Sequence, residues 1–367
     1  MADQRRSGLI GAGMIAEVHA RAVRSAGGVV AAVVHPSRDV AEAAALRFGA
    51  ERALTGLDEL LALDDLDVVH VCTPNDLHAP FTQQVIAAGK HVICEKPLAT
   101  DEADARAVMA AADAAGLVNA VPFVYRFYPT VRDARGRVRS GAAGDIRLIH
   151  GSYLQDWLAH ADDDNWRVDP RRGGASRAFA DIGVHWCDLV EFTTGHRIRR
   201  LTARMLTVHP SRNGATAVAT EDAAGVIFDT DHGALGTMVI SQVTHGRKNR
   251  LWFSIDGDAS SMSFDQELPD SLWVGGRDVN TVVMRGSQDA DPSAARYNVL
   301  PPGHPQGYQD SFTSFVRDVY ARIDGEEVDG LPTFADGVRA ATLTAAVLES
   351  AGSGSWVEVP SGPVTQP

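Results

Sequence analysis

The chain has 367 residues, with 34 Lys and Arg against 47 Asp and Glu, a formal net charge of −13 with histidine neutral. Hydrophobic residues make up 45 % and charged residues 22 %, which excludes a disordered or fibrous chain and provides a substantial core for two domains. The acidic balance argues against a nucleic-acid-binding or anionic-membrane surface, and no apolar run approaches the ~20 residues that span a bilayer.

The start, Met1 to Ser7, is polar, and the first apolar segment is interrupted by Gly11, Gly13 and Glu17, unlike a secretory core. Cys72, Cys94 and Cys187 are isolated, with no CxxC, and read as buried thiols rather than disulfides or zinc ligands. The expectation is a protein of the reducing cytoplasm.

Strand and helix alternate in the first third. Ser7 to Ile10 reads as a strand, followed by a glycine turn and a helix to about Ala26; Val29 to Val34 is a second strand and Arg38 to Phe48 a helix. Asp67 to Cys72 and His91 to Cys94 read as strands, with helices at Phe81 to Ala88 and Asp101 to Ala115. Short, continuously apolar strands separated by helices indicate a parallel sheet covered on both faces.

The first turn, Gly11-Ala12-Gly13-Met14-Ile15-Ala16, is a GxGxxA fingerprint. Gly11 permits the tight turn, Gly13 admits a pyrophosphate to the backbone, and Ala16 stands where helix packs on strand. The amides of Met14 and Ile15 then face the phosphate. The ribose-binding acid expected ~20 residues on is replaced by His35-Pro36-Ser37-Arg38. Ser37 and Arg38 suit a 2′-phosphate, which favours NADP, with NAD as the alternative.

Two loops reach the same sheet edge. One is Thr73-Pro74-Asn75-Asp76-Leu77-His78, after the third strand, and the other is Glu95-Lys96-Pro97, after the fourth. The second places a lysine where ligands of open α/β folds bind, able to polarise an oxygen or move a proton. Pro97 ends the strand, and the peptide before it is a candidate for the cis form.

These elements, with Val124-Tyr125-Arg126-Phe127 and the D-x-G-x-H-x-x-D run from Asp181 to Asp188, resemble the glucose–fructose oxidoreductase / inositol dehydrogenase / MocA family over nearly the whole chain. The resemblance implies an N-terminal Rossmann domain, placed at residues 1–122, and a substrate-binding and oligomerisation α/β domain at 123–367. The latter would be built on a large, mostly antiparallel open sheet. The implied activity is NAD(P)-dependent oxidation or reduction of a sugar or polyol hydroxyl, in a homodimer or homotetramer. Two readings stay open beside it: redox-assisted sugar cleavage or modification with a tightly bound, recycled cofactor, and a non-catalytic dinucleotide-responsive binding protein.

The second half agrees. Ile146 to Leu154, Ile198 to Met205, Gly225 to Phe228, Ala234 to Val243, Arg250 to Ile255 and Ser261 to Phe264 are strand-like. Turns such as Asp231-His232-Gly233 join them as hairpins. Helices are expected at Tyr308 to Ile323 and Phe334 to Gly352.

Asp181 and His185 are four apart and share one helix face. A carboxylate beside an imidazole makes a better base, and dehydrogenation needs a base as hydride departs. The resemblance makes His185 the proton acceptor, Asp181 its tuner and a substrate contact, and Lys96 the polariser of the reacting oxygen; Asp188 reads as structural. Tyr153, Gln155 and Trp157 alternate, so they share one face suited to a carbohydrate. Trp166 and Arg167 match the family loop that reaches toward the nicotinamide. Tyr125, Arg126 and His304 are further substrate-side candidates. No spacing of His, Cys and Glu suggests a metal.

Overall fold

The computed structural model describes residues 4–213 and 216–361. Two compact units form: one takes residues 4–124 together with Tyr308–Val338, the other Tyr125–Gly307 together with residues 339–361. The stretch Tyr308–Val338 thus packs with the dinucleotide-type half, although its sequence position follows the second half.

The first unit is built on a six-stranded parallel sheet of β1 (Arg6–Ile10), β2 (Val29–Val34), β3 (Ala53–Leu54), β4 (Val68–Val71), β5 (His91–Cys94) and β6 (Asn119–Ala120). Its order, β3-β2-β1-β4-β5-β6, is that of a Rossmann sheet, with the switch point between β1 and β4. The run Val29–Val34 is buried at nearly every position, as a strand covered on both faces requires. Helices α1 (Met14–Ser25), α2 (Arg38–Phe48), α3 (Leu57–Leu61), α4 (His78–Ala87) and α5 (Glu102–Ala114) connect the strands. The two-residue strands β3 and β6 and the single-turn α3 are too short to leave a periodic signal in sequence.

The second unit carries α6 (Pro129–Arg139), β7 (Ile146–Leu154), α7 (Pro170–Gly173), α8 (Val184–Thr194), β8 (Ile198–Leu206) and the small pair β9 (Ser211–Arg212) and β10 (Thr216–Ala217). The strands β11 (Ala223–Thr230), β12 (Leu235–Ser241), β13 (Arg250–Gly257), β14 (Ser261–Asp265), β15 (Ser271–Gly275) and β16 (Asn280–Met284) follow. Further along the chain, α9 (Tyr308–Ile323) and the start of α10 (Phe334–Ser353) belong to the first unit, and the rest of α10 and β17 (Val357–Glu358) to the second.

Nine of these strands form one sheet, β16-β15-β14-β13-β7-β12-β11-β8-β17. Every pairing is antiparallel except β7 with β12. Burial alternates along β11 and β12, so one face packs on the unit's core and the other is open. Sequence reasoning missed α6: its Pro129 suits the first helical position, but four arginines and Gly136 in eleven residues hide the apolar stripe.

Candidate active site

At the carboxyl edge of the parallel sheet, Gly11 has φ +116°, and a Cβ there would meet the Cys72 carbonyl oxygen at 2.5 Å. Only glycine fits this turn. A Cβ on Gly13 would meet nothing within 4 Å, and Gly13 caps α1 with no side-chain bond. The amides of α1, beside exposed Met14 and half-buried Ile15, are therefore turned to an open space where an anion is stabilised. In the next loop Thr73 Oγ1 is buried with no hydrogen-bond partner among the described residues. An open glycine cradle, uncapped helix amides and an orphan hydroxyl fit a dinucleotide.

At the end of β2, His35 Nδ1 accepts from the Ser37 N–H at 3.1 Å. Ser37 caps α2 without using its hydroxyl. Arg38 donates to the Ala53 carbonyl at 3.2 Å, stays exposed, and lies 4.0 Å from Glu42. No carboxylate stands between His35 and Arg38.

Beside this edge, His78 is buried, with Nδ1 2.7 Å from the Pro97 oxygen and Nε2 2.9 Å from the Thr73 oxygen. Burial pushes its pKa below the usual histidine value, against the two carbonyls, and a neutral ring donates to one of them at a time. His78 thus ties the loop after β4, with Pro74 and buried Asn75, to the loop after β5. Lys96 is half-buried, and the Lys96–Pro97 peptide is cis. Glu95 is buried rather than turned to the open edge: its carboxylate accepts from the Lys96 N–H at 3.1 Å and from His19.

In the second unit, Asp181 lies not in a regular α-helix but in one π-helical turn, Phe179–Gly183, which runs into α8. Such turns, bonded i to i+5, keep positions four apart close to one face. Glu221 fixes the turn: its carboxylate accepts from Ser176 Oγ at 2.7 Å and from the Arg177 and Phe179 N–H groups at 3.1 and 2.8 Å. A Cβ on Gly183 would fall 2.5 Å from the Phe179 ring, so the tight approach depends on glycine.

Asp181 Oδ2 accepts from Gln242 Nε2 at 2.7 Å, and its Oδ1 lies 3.6 Å from Arg167 Nε. Arg167 also stacks over the Trp166 ring at 4.4 Å, which ties the 166–167 turn to the carboxylate. His185, buried, meets the Tyr125 ring edge-on at 5.2 Å. Tyr125 bonds the Tyr153 hydroxyl, and burial raises its pKa above the usual phenol value. Asn249 collects Tyr153 and Gln155 on its Oδ1, both at 2.7 Å, while Trp157 Nε1 donates to Gln155 Oε1 at 2.8 Å. Tyr153, Gln155 and Trp157 are thus on one connected surface.

Two predicted residues sit elsewhere. Arg126 is held by Asp188 in a two-pronged ion pair, Nε to Oδ2 at 2.8 Å, and stacks on Phe192. His304 is exposed, its carbonyl accepting from Arg285 at 2.6 Å. Gln242 and Asn249 escaped sequence reasoning. Gln242 directly follows β12 and Asn249 directly precedes β13, and no motif marks either.

A glycine-cradled Rossmann edge with a lysine beside it, and a second unit carrying a carboxylate–histidine turn under a hydroxyl-and-amide surface, define a nicotinamide-dependent oxidoreductase. Residues 5–123 match the family described as "Oxidoreductase family, NAD-binding Rossmann fold", and residues 131–263 match the GFO/IDH/MocA C-terminal domain. The chain is 30 % identical to levoglucosan dehydrogenase of Pseudarthrobacter phenanthrenivorans, covering 96 % of this chain and 97 % of that one. A crystal structure of an oxidoreductase domain protein from Kribbella flavida superposes with a TM-score of 0.90 at 33 % identity, over 97 % of this chain and 99 % of that one. Levoglucosan dehydrogenase in complex with NADH and levoglucosan gives a TM-score of 0.91 at 30 % identity, over 98 % of this chain and the whole of that one. The chain belongs to the Gfo/Idh/MocA oxidoreductase family.

Proposed function

We propose that the protein oxidises or reduces a secondary hydroxyl or ketone of a sugar, sugar derivative or polyol, with His185, Asp181 and Lys96 carrying the proton chemistry. The observation that supports this most is the surface around His185. Tyr125, Tyr153, Gln155 and Asn249 form a file of hydroxyls and amides edged by Trp157, suited to a ligand with several hydroxyls and apolar C–H faces. The relatives named for levoglucosan oxidation point to the same class.

A nicotinamide dinucleotide held through its pyrophosphate at the glycine turn would supply the hydride acceptor or donor. His185 takes the hydroxyl proton in oxidation and returns it in reduction. Asp181, held by Gln242, favours the charged imidazole and strengthens the base. Lys96 places a positive charge at the reacting oxygen, where alkoxide character develops. Gly11, Gly13, Met14, Ile15, Thr73, Pro74, Asn75 and Pro97 would hold the dinucleotide, with Trp166 and Arg167 as further candidate contacts. Arg126 supports the site through Asp188.

Ser37 and Arg38, with no carboxylate between His35 and Arg38, favour NADP. Levoglucosan dehydrogenase has been captured with NADH, so both forms belong in the assay. Three buried free thiols suit a reducing cytoplasm; among the described residues no helix is long and apolar enough to cross a membrane.

The open face of the large sheet exposes Leu148, Ile227, Leu235 and Val239, with Trp273 and Val282 further along it, and this is the surface we assign to a homodimer or homotetramer. Light scattering of Val239→Asp against the parent tests that assignment.

A panel of anhydrosugars, aldoses and inositols, followed by absorbance of the reduced nicotinamide with NADP and NAD, tests the main reading. Turnover of one class supports it. A protein that retains nucleotide and shows no net turnover, or no response to any member, overturns it.

A further inference from the structure

A file of polar side chains crosses the interior of the first unit, where apolar packing is the rule. From the Lys96 edge inward, Glu95 Oε2 accepts from the Lys96 N–H at 3.1 Å, and Glu95 Oε1 lies 3.0 Å from His19 Nε2. His19 Nδ1 is 2.8 Å from His70 Nδ1, His70 Nε2 is 3.3 Å from Ser7 Oγ, and Ser7 Oγ is 2.8 Å from the Tyr320 hydroxyl. Five elements contribute: the exit of β5, then α1, β4, β1 and α9. Ser7, His19 and His70 are 0 % exposed. Such a file is costly to bury unless every member finds a partner.

Counting protons fixes its direction. A carboxylate brings no proton, so His19 Nε2 donates to Glu95. With one proton per ring, His19 Nδ1 then accepts from His70 Nδ1, His70 Nε2 accepts from Ser7, and Ser7 accepts from Tyr320. Every donor in the file points toward Glu95. Burial, with His19 beside it, puts His70 well below the ordinary histidine range, and burial pushes Tyr320 up to about 12, which keeps it a donor. Burial is the largest influence and works against the Glu95 charge, but the His19 hydrogen bond and the electrostatic pull of His19, Lys96 and His78 together outweigh it and lower the pKa. The other titratable groups facing Glu95 are His78, Lys96, Cys72 and Cys94. Both thiols are pushed up by burial and stay neutral.

We infer that His19 and Tyr320 are positioning residues for Lys96: the buried file holds Glu95 ionised and oriented, and Glu95 fixes the backbone from which Lys96 projects. His78 holds the far end of the same segment through the Pro97 carbonyl. This deepens the reading of Lys96 as a catalytic residue and rests on it. Small displacements of a positioned group cost about 100-fold in rate, which is why so distant a hydroxyl as that of Tyr320 matters.

Two measurements test the inference separately from the main reading. Nitrogen-15 histidine spectra of the protein without substrate should show His19 donating from Nε2 and His70 as the Nδ1–H tautomer, with His70 unchanged from roughly pH 6 to 9. Titration of His70 in that window, or the opposite tautomers, overturns the inference whether or not a substrate is known. With the substrate found in the panel, His19→Leu should lower kcat about 100-fold and leave the cofactor KM within about threefold. His19→Gln, which keeps a donor at Nε2, should recover about tenfold of that loss. Tyr320→Phe should lower kcat by about threefold with its fold intact. Unchanged kcat in folded His19→Gln and Tyr320→Phe overturns the inference, whereas a fully active Lys96→Met overturns only the catalytic role of Lys96.

Discussion

Gln242 donates from Nε2 to Asp181 Oδ2 at 2.7 Å, while its own Oε1 is buried with no hydrogen-bond partner among the described residues. The side chain is 0 % exposed. A buried amide with one satisfied end and one open end spends its orientation on the carboxylate, and its donor favours the charged form of Asp181 over the neutral one.

Replacing Gln242 with leucine should therefore raise the pKa of Asp181, because a donor to the charged form is lost. The acid limb of the kcat profile should move to higher pH, and kcat should fall about tenfold, as expected for one hydrogen bond to a charged group. An unmoved limb would separate Gln242 from the carboxylate's chemistry.

Lys96→Met and His185→Asn should each lower kcat by about 100- to 10,000-fold with little change in melting temperature. The double variant should lose less than the product of the two, since groups acting on one oxygen are not additive. Steady-state rates on the four proteins check this.

Arg38 is exposed, and its described contacts are one carbonyl and a carboxylate 4.0 Å away. A guanidinium on a 2′-phosphate is a charge-assisted contact, so Arg38→Ala should weaken NADP about tenfold and leave NAD nearly unchanged. Equal loss for both dinucleotides, measured by fluorescence titration, would place Arg38 outside the cofactor site.

Asp188 should matter for stability rather than rate. It is the two-pronged partner of Arg126, and both side chains are nearly buried. Asp188→Ala leaves a guanidinium in low dielectric and should cost about 3–5 kcal/mol in denaturant unfolding. Preserved stability would show that Arg126 has another anchor of equal strength.

Asp222 sets an acid limit. Its carboxylate is buried, which alone would raise the pKa, but the His209 N–H and then Arg177 and Arg212 pull it below the ordinary value of 3.8. A carboxylate depressed by folding contributes stability that is complete above 3.8 and is lost as pH falls through the folded value. Asp222→Asn should flatten this part of the acid unfolding curve and destabilise the protein at neutral pH, where two buried arginines lose their counter-charge. Calorimetry from pH 7 downward reads both effects.

Much of the first unit was legible because its signals are local. The GxGxxA turn constrains a few backbone angles and a run such as Val29–Val34 declares burial on both faces; in the second unit the four-residue spacing of Asp181 and His185 is equally local. None of these depends on what packs opposite. The hairpins of the second unit are legible for the same reason, through alternation and turns such as Asp231-His232-Gly233.

What the tertiary structure alone decided depends on pairs far apart in the chain. Gln242 reaches Asp181 across 61 positions, and Tyr320 reaches Ser7 across 313. Glu221, far from the turn in sequence, accepts the Phe179 N–H at the start of the 179–183 π-turn. Arg126 looked available until Asp188 was placed beside it. Sequence specifies which groups a segment carries and how its backbone runs; it does not specify which distant donor arrives at a buried acceptor. That choice is made only when the sheet and helices close, because burial then turns each unpaired polar atom into a penalty that a particular neighbour must remove.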